Sequence, residues 1–444
     1  MSQPSRPDLR RVALITYGCA KNLVDSEVMA GRLLESGFAL AGDPARAEAV
    51  LLNTCGFIRA AREEALEGIA EAVALKAGKP GLRIAVVGCF PERSRDALSA
   101  RFPEVDVWAG VRDFDNVVSL LRGKRFRAGR RAFLYSDRSP RALSTPPGWA
   151  YLKISEGCSG RCAFCAIPGI KGGYRSRSSA SIVQEARGLA DKGVKEINLV
   201  SQDSTFFGRD RGREDGLARL LDDLARVDGL SWIRVLYGCP EGVTDKLLEA
   251  MGNPKICPYF DLPFQHADRA VLRRMGRATD ARRGLHLLEK IRSRVPEASV
   301  RTSLIVGFPG EGEREFEALR DFVRKARFDH LGVFAYSPEE GTRAYGLGDP
   351  VPAAVKEERR KAILDLQAGI SSSLLRRFVG RMIDVLIEGR SPERPRTWLG
   401  RSRWQAPEVD GLVFVRASAG RLENRIRRVR ITSSGTYDLE GRLT

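Results

Sequence analysis

Short apolar runs alternate with helical patterns through most of the chain, which predicts parallel β-strands joined by crossover helices. Before residue 110, the strand candidates span 12–15, 49–52, 84–87 and 105–108, and the helix candidates span 23–34 and 58–75. This order predicts an N-terminal Rossmann-like domain with a parallel sheet over residues 10–122.

A basic, proline-containing segment over residues 123–147 interrupts the alternation and is typical of a linker. Six further strand candidates follow, at 151–155, 196–201, 232–236, 259–262, 299–306 and 332–336. They predict a partial (β/α)6 barrel over residues 148–377, and such barrels carry their sites at the carboxyl ends of the strands.

A linking helix is predicted over 356–378. Short alternating runs then predict a small antiparallel β-barrel over 378–444.

Three cysteines form a CxxxCxxC motif just after the first strand of the second region: Cys158, Cys162 and Cys165. Three thiolates at this spacing can hold an iron–sulfur cube and leave one iron open for a substrate or cofactor. S-adenosyl-L-methionine is the expected occupant. Zinc is the alternative, but zinc needs a fourth Cys or His nearby, and the chain has only three histidines.

A second set of cysteines follows the strands of the N-terminal region: Cys19, Cys55 and Cys89. Because parallel strands with right-handed crossovers end along one edge of a sheet, we expect the three thiols to converge. A glycine adjoins each of them, which permits close backbone approach to an inorganic centre. The alternative is three ordinary buried cysteines. Cys239 and Cys257 have no such neighbours and are predicted to be core residues.

The chain has 444 residues and a net charge of +18, from 74 basic and 56 acidic side chains. A basic balance favours a nucleic-acid or nucleoprotein partner, although an arginine-rich composition alone would give the same charge. No apolar stretch is long enough to cross a membrane, and the N-terminus lacks a signal core. We therefore expect a cytoplasmic monomer whose cysteines are ligands or core residues and do not form disulfides.

The CxxxCxxC motif with Phe164 matches the radical S-adenosylmethionine signature. The glycine-rich segment 304–311 resembles the motif after the fifth barrel strand of those enzymes. The domain order, with three N-terminal cysteines and a C-terminal β-barrel, resembles the methylthiotransferase family of radical SAM enzymes from about Val12 to Leu443. The resemblance implies that the C-terminal barrel is an OB-like TRAM domain.

Four segments resemble the branch that modifies an aspartate of ribosomal protein S-12: residues 18–27, 199–203, 261–266 and 406–411. The branch that modifies an adenosine of transfer RNA typically differs at the first, third and fourth of these segments. One departure from the family pattern is Lys171, where arginine is usual. Lysine keeps the charge but lacks the planar fork.

The resemblance implies attachment of sulfur to an aspartate β-carbon, which requires a radical cofactor because an unactivated C–H bond must break. It assigns Cys158, Cys162 and Cys165 to the 4Fe–4S cluster that binds S-adenosyl-L-methionine. It assigns Cys19, Cys55 and Cys89 to a second 4Fe–4S cluster that delivers the sulfur. Phe164, Gln265 and Gly307 are candidate cofactor contacts. The alternatives for these three are a core anchor, a strand-end cap and a turn.

The C-terminal region is basic, with 13 arginines against 8 acidic residues over 381–444, a net charge of +5. Arg428 and Arg430 would share a strand face and could contact RNA phosphate or an acidic protein surface. The alternative is a solvated edge strand. A basic surface is compatible with ribosomal protein S-12 as substrate, either as the free protein or in the small ribosomal subunit. The sequence does not indicate which protein supplies electrons.

Two other functions remain open at the level of sequence. One is the transfer-RNA methylthiotransferase, which mass spectrometry would distinguish by a methylthio group on a nucleoside. The other is an iron–sulfur electron carrier or sensor without turnover, which commonly needs four cysteines per cluster. Formation of 5′-deoxyadenosine under reducing conditions would exclude it.

Overall fold

The structure is a computed structural model that describes residues 10–124, 129–417 and 422–443. The polar N-terminal residues 1–9, part of the predicted linker (125–128), residues 418–421 and residue 444 lie outside the described residues. The chain divides into two compact units. The first comprises the residues up to Ser144 together with Glu156–Gly160 and Cys165–Arg175. The second comprises Thr145–Ser155, Arg161–Phe164 and the residues from Ser176 onward.

The first unit is built on a five-stranded parallel sheet in the order β2-β1-β3-β4-β5. Successive residues of β3 and β4 point to opposite faces, and both faces are covered by helices, so these strands are buried throughout. The elements are β1 Arg11–Thr16, α1 Ala20–Glu35, β2 Ala39–Leu40, β3 Ala49–Thr54, α2 Arg59–Gly78, β4 Arg83–Gly88, α3 Cys89–Arg101, β5 Val107–Ala109 and α4 Val117–Arg122. The Rossmann-like prediction is confirmed, and the short β2 is the strand that the pattern missed.

Six parallel strands of the central region pair in chain order as two three-stranded sheets, β6-β9-β10 and β11-β12-β13. A single parallel bridge joins Ile233 to Ile256, so the regular pairing is interrupted between β10 and β11. The elements are β6 Trp149–Lys153, β7 Ser155–Glu156, α5 Ile167–Lys171, β8 Arg175–Ser176, α6 Ser179–Asp191, β9 Glu196–Val200, α7 Gly216–Ala225, β10 Trp232–Val235, α8 Asp245–Ala250, β11 Tyr259–Asp261, α9 Arg269–Met275, α10 Ala281–Arg294, β12 Ser299–Val306, α11 Glu313–Ala326, β13 His330–Ala335 and α12 Ala353–Leu375. Of these, α5 belongs to the first unit.

The C-terminal strands close into a barrel in the order β14-β15-β16-β18-β17. Its pairings are antiparallel except for β16 with β18, which are parallel. The strands are β14 Met382–Arg390, β15 Thr397–Arg401, β16 Val413–Arg416, β17 Arg425–Ser434 and β18 Leu439–Leu443. Val385, Trp398 and Val429 belong to its core. Among the described helices, none combines the length and apolar character that a membrane crossing requires.

Charged side chains join the C-terminal barrel to the amino ends of the central strands within the second unit. Glu196 at the start of β9 accepts hydrogen bonds from Arg234 Nε at 2.9 Å and from Arg401 Nη2 at 2.8 Å. Arg401 also donates to Glu388 at 2.7 Å. Burial alone would raise the pKa of Glu196, but Arg401 and Arg234 hold it below its usual value. The carboxylate is therefore ionised and fully paired.

The segment 406–411 makes a second set of polar contacts to the same ends of the strands. Asp410 accepts a hydrogen bond from the Tyr259 hydroxyl at 2.5 Å and lies 3.5 Å from Arg301 Nε and 3.4 Å from His330 Nδ1. Tyr151 donates to Glu408 at 2.8 Å. This segment resembles the S-12 branch in sequence, and in the structure its two acidic side chains contact residues of β6, β11, β12 and β13.

Replacing Glu196 by glutamine leaves two buried arginines without their shared carboxylate. Because breaking a buried ion pair from one side typically costs about 3–5 kcal/mol, we expect Glu196→Gln to lower the free energy of unfolding by that order in urea titrations at neutral pH. The folded-state pKa of Glu196 is depressed, so this contribution is present at neutral pH and is lost as pH falls through that pKa.

Glu357→Gln is the matched control, because Glu357 pairs with Arg360 on an exposed face of α12. We expect it to unfold at the parent urea concentration. Equal midpoints for Glu196→Gln and Glu357→Gln would contradict the role assigned to the buried network.

Candidate active site

The cysteines of the N-terminal set lie at the carboxyl ends of three neighbouring parallel strands. Cys19 directly precedes α1 after β1, Cys55 follows β3, and Cys89 begins α3 directly after β4. The Sγ atoms of Cys19 and Cys89 lie 4.0 and 3.9 Å from the same atom, Oδ1 of Asn22. Two thiols from distant parts of the sequence therefore share one polar neighbour.

Gly18 brings Cys55 into the same group. A Cβ atom at Gly18 would lie 2.6 Å from Cys55 Cβ and 3.2 Å from Cys55 Sγ, and the φ angle of +106° is one that other residues rarely adopt. Glycine is required here on both counts. The three N-terminal cysteines thus converge at one edge of the sheet in the first unit, as the strand pattern predicts.

Three thiols are a donor set of the kind that iron–sulfur clusters use. Within the described part of the chain, no three Cys, His, Asp or Glu side chains are placed to hold one metal ion. A cube has its irons at separate corners, so its cysteine sulfurs lie farther apart than the ligands of one ion. Burial raises the pKa of Cys55 to about 11 and that of Cys89 to about 12. Metal binding at these thiols must therefore displace protons.

Two cysteines of the CxxxCxxC motif belong to the first unit. Cys158 donates its backbone N–H to Gly172 O at 3.0 Å, and its Sγ accepts from Gly160 N–H at 3.3 Å. Tyr174 N–H donates to Ser159 Oγ at 3.2 Å. These bonds fold the segment after Cys165 back onto the loop that carries Cys158, so the loop has a defined conformation.

Cys162 belongs to the second unit, where it is the acceptor of an arginine. Arg277 donates to Cys162 Sγ at 3.7 Å and to Pro263 O at 3.0 Å, and its Nη2 lies 3.7 Å from Glu241. Burial opposes the charge of Arg277, but Cys239, Cys162 and Glu241 raise its pKa. Arg277 is thus a permanent cation beside one predicted ligand.

Glu241 and Cys239 extend this group, although the sequence predicted a core position for Cys239 and no role for Glu241. The Cys239 thiol donates to Glu241 Oε2 at 2.7 Å, and Thr279 N–H donates to Oε1 at 3.1 Å. Burial alone would raise the pKa of Glu241, but Arg277 and these hydrogen bonds lower it to about 2. Cys257 is fully buried, as expected of a core residue, whereas Cys239 is half-buried beside charged groups.

The three weaker candidates occupy different surroundings. Phe164 packs in an apolar cluster with Leu272 and Phe308, as the core-anchor alternative expects. Gln265 has a φ of +70° and is held by backbone bonds to Ser303 O and from Ile305 N–H. Gln265 comes shortly after β11 in the chain, and it is half-buried.

Gly307 turns the chain directly after β12 with a φ of +71°, and a Cβ there would collide with Lys356. Its N–H donates to Glu311 Oε1 at 2.7 Å. Arg359 donates to the same oxygen at 2.8 Å, and His266 Nε2 lies 2.9 Å from Oε2. Because Asp268 N–H donates to His266 Nδ1, Nε2 carries the proton and donates to Glu311. This buried network fixes the glycine turn, and the sequence indicated it only through a glutamate that closes the glycine-rich segment.

Comparisons with known proteins match the three regions of the chain in the order described above. Three family models match: Uncharacterized protein family UPF0004 over residues 11–110, the Radical SAM superfamily over residues 152–323, and the TRAM domain over residues 379–444. Among solved structures, the radical S-adenosylmethionine methyltransferase TsrM from Kitasatospora setae, with cobalamin and a 4Fe–4S cluster bound, is similar with a TM-score of 0.54 at 16% identity. The match covers 74% of this chain and 75% of that one, and it supports the fold.

Curated relatives match over nearly the whole chain. The ribosomal protein uS12 methylthiotransferase RimO of Aquifex aeolicus is 43% identical over 98% of this chain and 97% of its own length. The protein of the same name from Anaeromyxobacter sp. (strain K) is 44% identical over 98% of this chain and 93% of its own. The resemblance found in the sequence is thereby confirmed, and the chain belongs to the RimO family of radical SAM methylthiotransferases.

Proposed function

We propose that this chain transfers a methylthio group to the β-carbon of an aspartate of ribosomal protein uS12. The observation that carries the proposal is identity of 43–44% over nearly full length to relatives named for that reaction. The convergence of Cys19, Cys55 and Cys89 in the first unit supports it, because a second cluster is what sulfur transfer adds to radical chemistry.

Radical SAM methylthiotransferases use S-adenosyl-L-methionine and 4Fe–4S clusters. When bound, these groups supply the one-electron chemistry that breaks an unactivated C–H bond. Cys158, Cys162 and Cys165 are the proposed ligands of the cluster that binds the cofactor.

The residues around the cysteines have separate tasks in this proposal. Arg277 donates a hydrogen bond to Cys162 and is itself held by Glu241, which fixes the orientation of one ligand. Cys19, Cys55 and Cys89 hold the second cluster. Gly307 permits the turn after β12, where a Cβ atom would collide with Lys356. Gln265 and Phe164 are the remaining proposed contacts to the cofactor.

The C-terminal barrel presents a basic face that suits a ribosomal substrate in the cytoplasm. Arg428 and Arg430 are exposed on β17, and the intervening Val429 is buried in the barrel. Arg428 lies 3.8 Å from Asp384 on the neighbouring strand, and 65% of its side chain is exposed to solvent. We propose that these arginines contact RNA phosphate when the enzyme meets the small ribosomal subunit.

The function is tested with anaerobically reconstituted enzyme, S-adenosyl-L-methionine, a chemical reductant, and either free uS12 or small subunits. We expect peptide mass spectrometry to find a methylthio group on one aspartate of uS12. A methylthio group on a transfer-RNA nucleoside, with unmodified uS12, would overturn the proposal.

Single cysteine variants separate the two proposed clusters. Cys162→Ala should abolish formation of 5′-deoxyadenosine, because the cofactor-binding cluster loses a ligand. Cys55→Ala should retain that product but yield no methylthio peptide. Cys257→Ala, a buried cysteine outside both sets, should keep both activities, as liquid chromatography and mass spectrometry would show. Methylthio product from Cys55→Ala would show the division of labour to be wrong.

Gly18→Ala tests the close approach at the N-terminal set. The added methyl group would contact Cys55, so we expect bound iron after reconstitution to fall from about eight to about four per chain. Gly37→Ala is the matched control, because Gly37 has a similarly positive φ of +86° but no atom within 4 Å of an added Cβ. Equal iron content in the two variants would contradict a cluster beside Gly18.

Arg428→Gln with Arg430→Gln tests the basic face. If the arginines contact phosphate, the salt dependence of binding to small subunits should become shallower, by about one unit of slope for each arginine that no longer binds a phosphate. Arg360→Gln, on an exposed face of α12, should leave the slope unchanged. A uniform slope across all variants, measured by fluorescence anisotropy, would remove RNA binding by this face from the proposal.

A further inference from the structure

Lys171 is a buried lysine at the end of α5, six positions after Cys165. Helix α5 packs against α3, whose first residue is Cys89, and Ile170 lies in the same core cluster as Cys89. The side chain of Lys171 is only 2% exposed. All of these residues belong to the first unit.

Two carboxylates from distant parts of the sequence hold the Lys171 ammonium. Its Nζ lies 3.4 Å from Asp25 Oδ2 and 3.4 Å from Glu156 Oε2, and both carboxylate side chains are fully buried. The ring of Phe114 is 5.6 Å from Nζ. Asp25 lies six positions after Cys19 on α1, and Glu156 lies two positions before Cys158. The Lys171 ammonium therefore joins α1, which follows Cys19, to the loop that leads to Cys158.

The ammonium is a fixed charge. Burial alone would lower the pKa of Lys171, but Glu156, Cys89 and Asp25 raise it well above its usual value. Lys171 ends α5, which packs against α3, the helix that begins at Cys89. A buried positive charge stabilises additional negative charge nearby.

Fold stability alone gives little reason for such a triad. A buried ion cluster can often be replaced by apolar side chains with no loss of stability. Lysine is also a point charge without the planar fork that gives bidentate geometry. What Lys171 supplies is one positive charge at a defined place, on the helix that packs against the helix begun by Cys89.

We propose that Lys171 is a positioning residue of the N-terminal cluster, whose ammonium, held by Asp25 and Glu156, makes that cluster easier to reduce. The inference rests on the proposed function, because it takes Cys19, Cys55 and Cys89 as cluster ligands. Loss of the positive charge should shift the midpoint potential to more negative values, and loss of a neighbouring negative charge should shift it the other way.

The test uses the full chain with Cys158, Cys162 and Cys165 replaced by alanine, so that iron can bind only at the N-terminal set. Iron content is measured first, and the midpoint potential is then determined by redox titration followed by electron paramagnetic resonance. We expect Lys171→Met to shift the potential negatively, Lys171→Arg to restore it, and Asp25→Asn to shift it positively. Lys124→Met, which removes an exposed lysine of the same unit, should leave it unchanged because solvent screens that charge.

Shifts of opposite sign in a Lys171 variant and in Asp25→Asn cannot come from a loosened fold. Lys171→Gln, which also removes the charge, replaces Lys171→Met if the latter fails to bind iron. An unchanged potential in Asp25→Asn, or a shift of the same sign as in Lys171→Met, would overturn the inference. Absence of iron from the parent triple variant would instead overturn the ligand assignment of the proposed function, which keeps the two failures distinct.

Discussion

The parallel pairing of β1, β3 and β4 is the constraint on which the first unit depends. Cys19, Cys55 and Cys89 are separated by helices of 16 and 20 residues, so no local interaction could bring them together. The register between β1 and β3 and between β3 and β4 aligns the ends of the strands. Since a shift by one residue would turn each side chain to the other face, the buried apolar residues that fix this register also fix the spacing of the thiols.

Buried charge is the second organising feature, and it occurs in each of the two units. Lys171 lies between two carboxylates beside the N-terminal cysteines, and Glu196 lies between two arginines where the C-terminal barrel meets the central strands. Each cluster joins segments that are distant in sequence. Because an unpaired charge is costly to bury, each arrangement favours one assembly of its segments over looser alternatives.

Much of the fold followed from the sequence because hydrophobic runs and glycines report on local structure. The strands that precede Cys19, Cys55 and Cys89 were predictable for that reason, and so was the shared edge, because crossover handedness is nearly invariant. The pairing of Lys171 with Asp25 was not predictable, since the two are 146 positions apart and each alone resembles a surface charge. The same holds for Arg277, whose partners Cys162 and Glu241 come from separate loops. The interruption between β10 and β11 was also missed, because a strand's apolar pattern does not specify how closely its neighbour pairs.

The polar seam formed by Arg401 and Asp410 bears on how such chains diversify. The C-terminal barrel is not a freely exchangeable module, because its Arg401 neutralises a carboxylate that belongs to the central region, and its Asp410 accepts from Tyr259 there. A chimera that carried a barrel without these two side chains would leave Glu196 and Tyr259 partly unmatched at a buried seam. Exchange of the C-terminal barrel between related proteins therefore requires that Arg401 and Asp410 change together with their partners Glu196 and Tyr259.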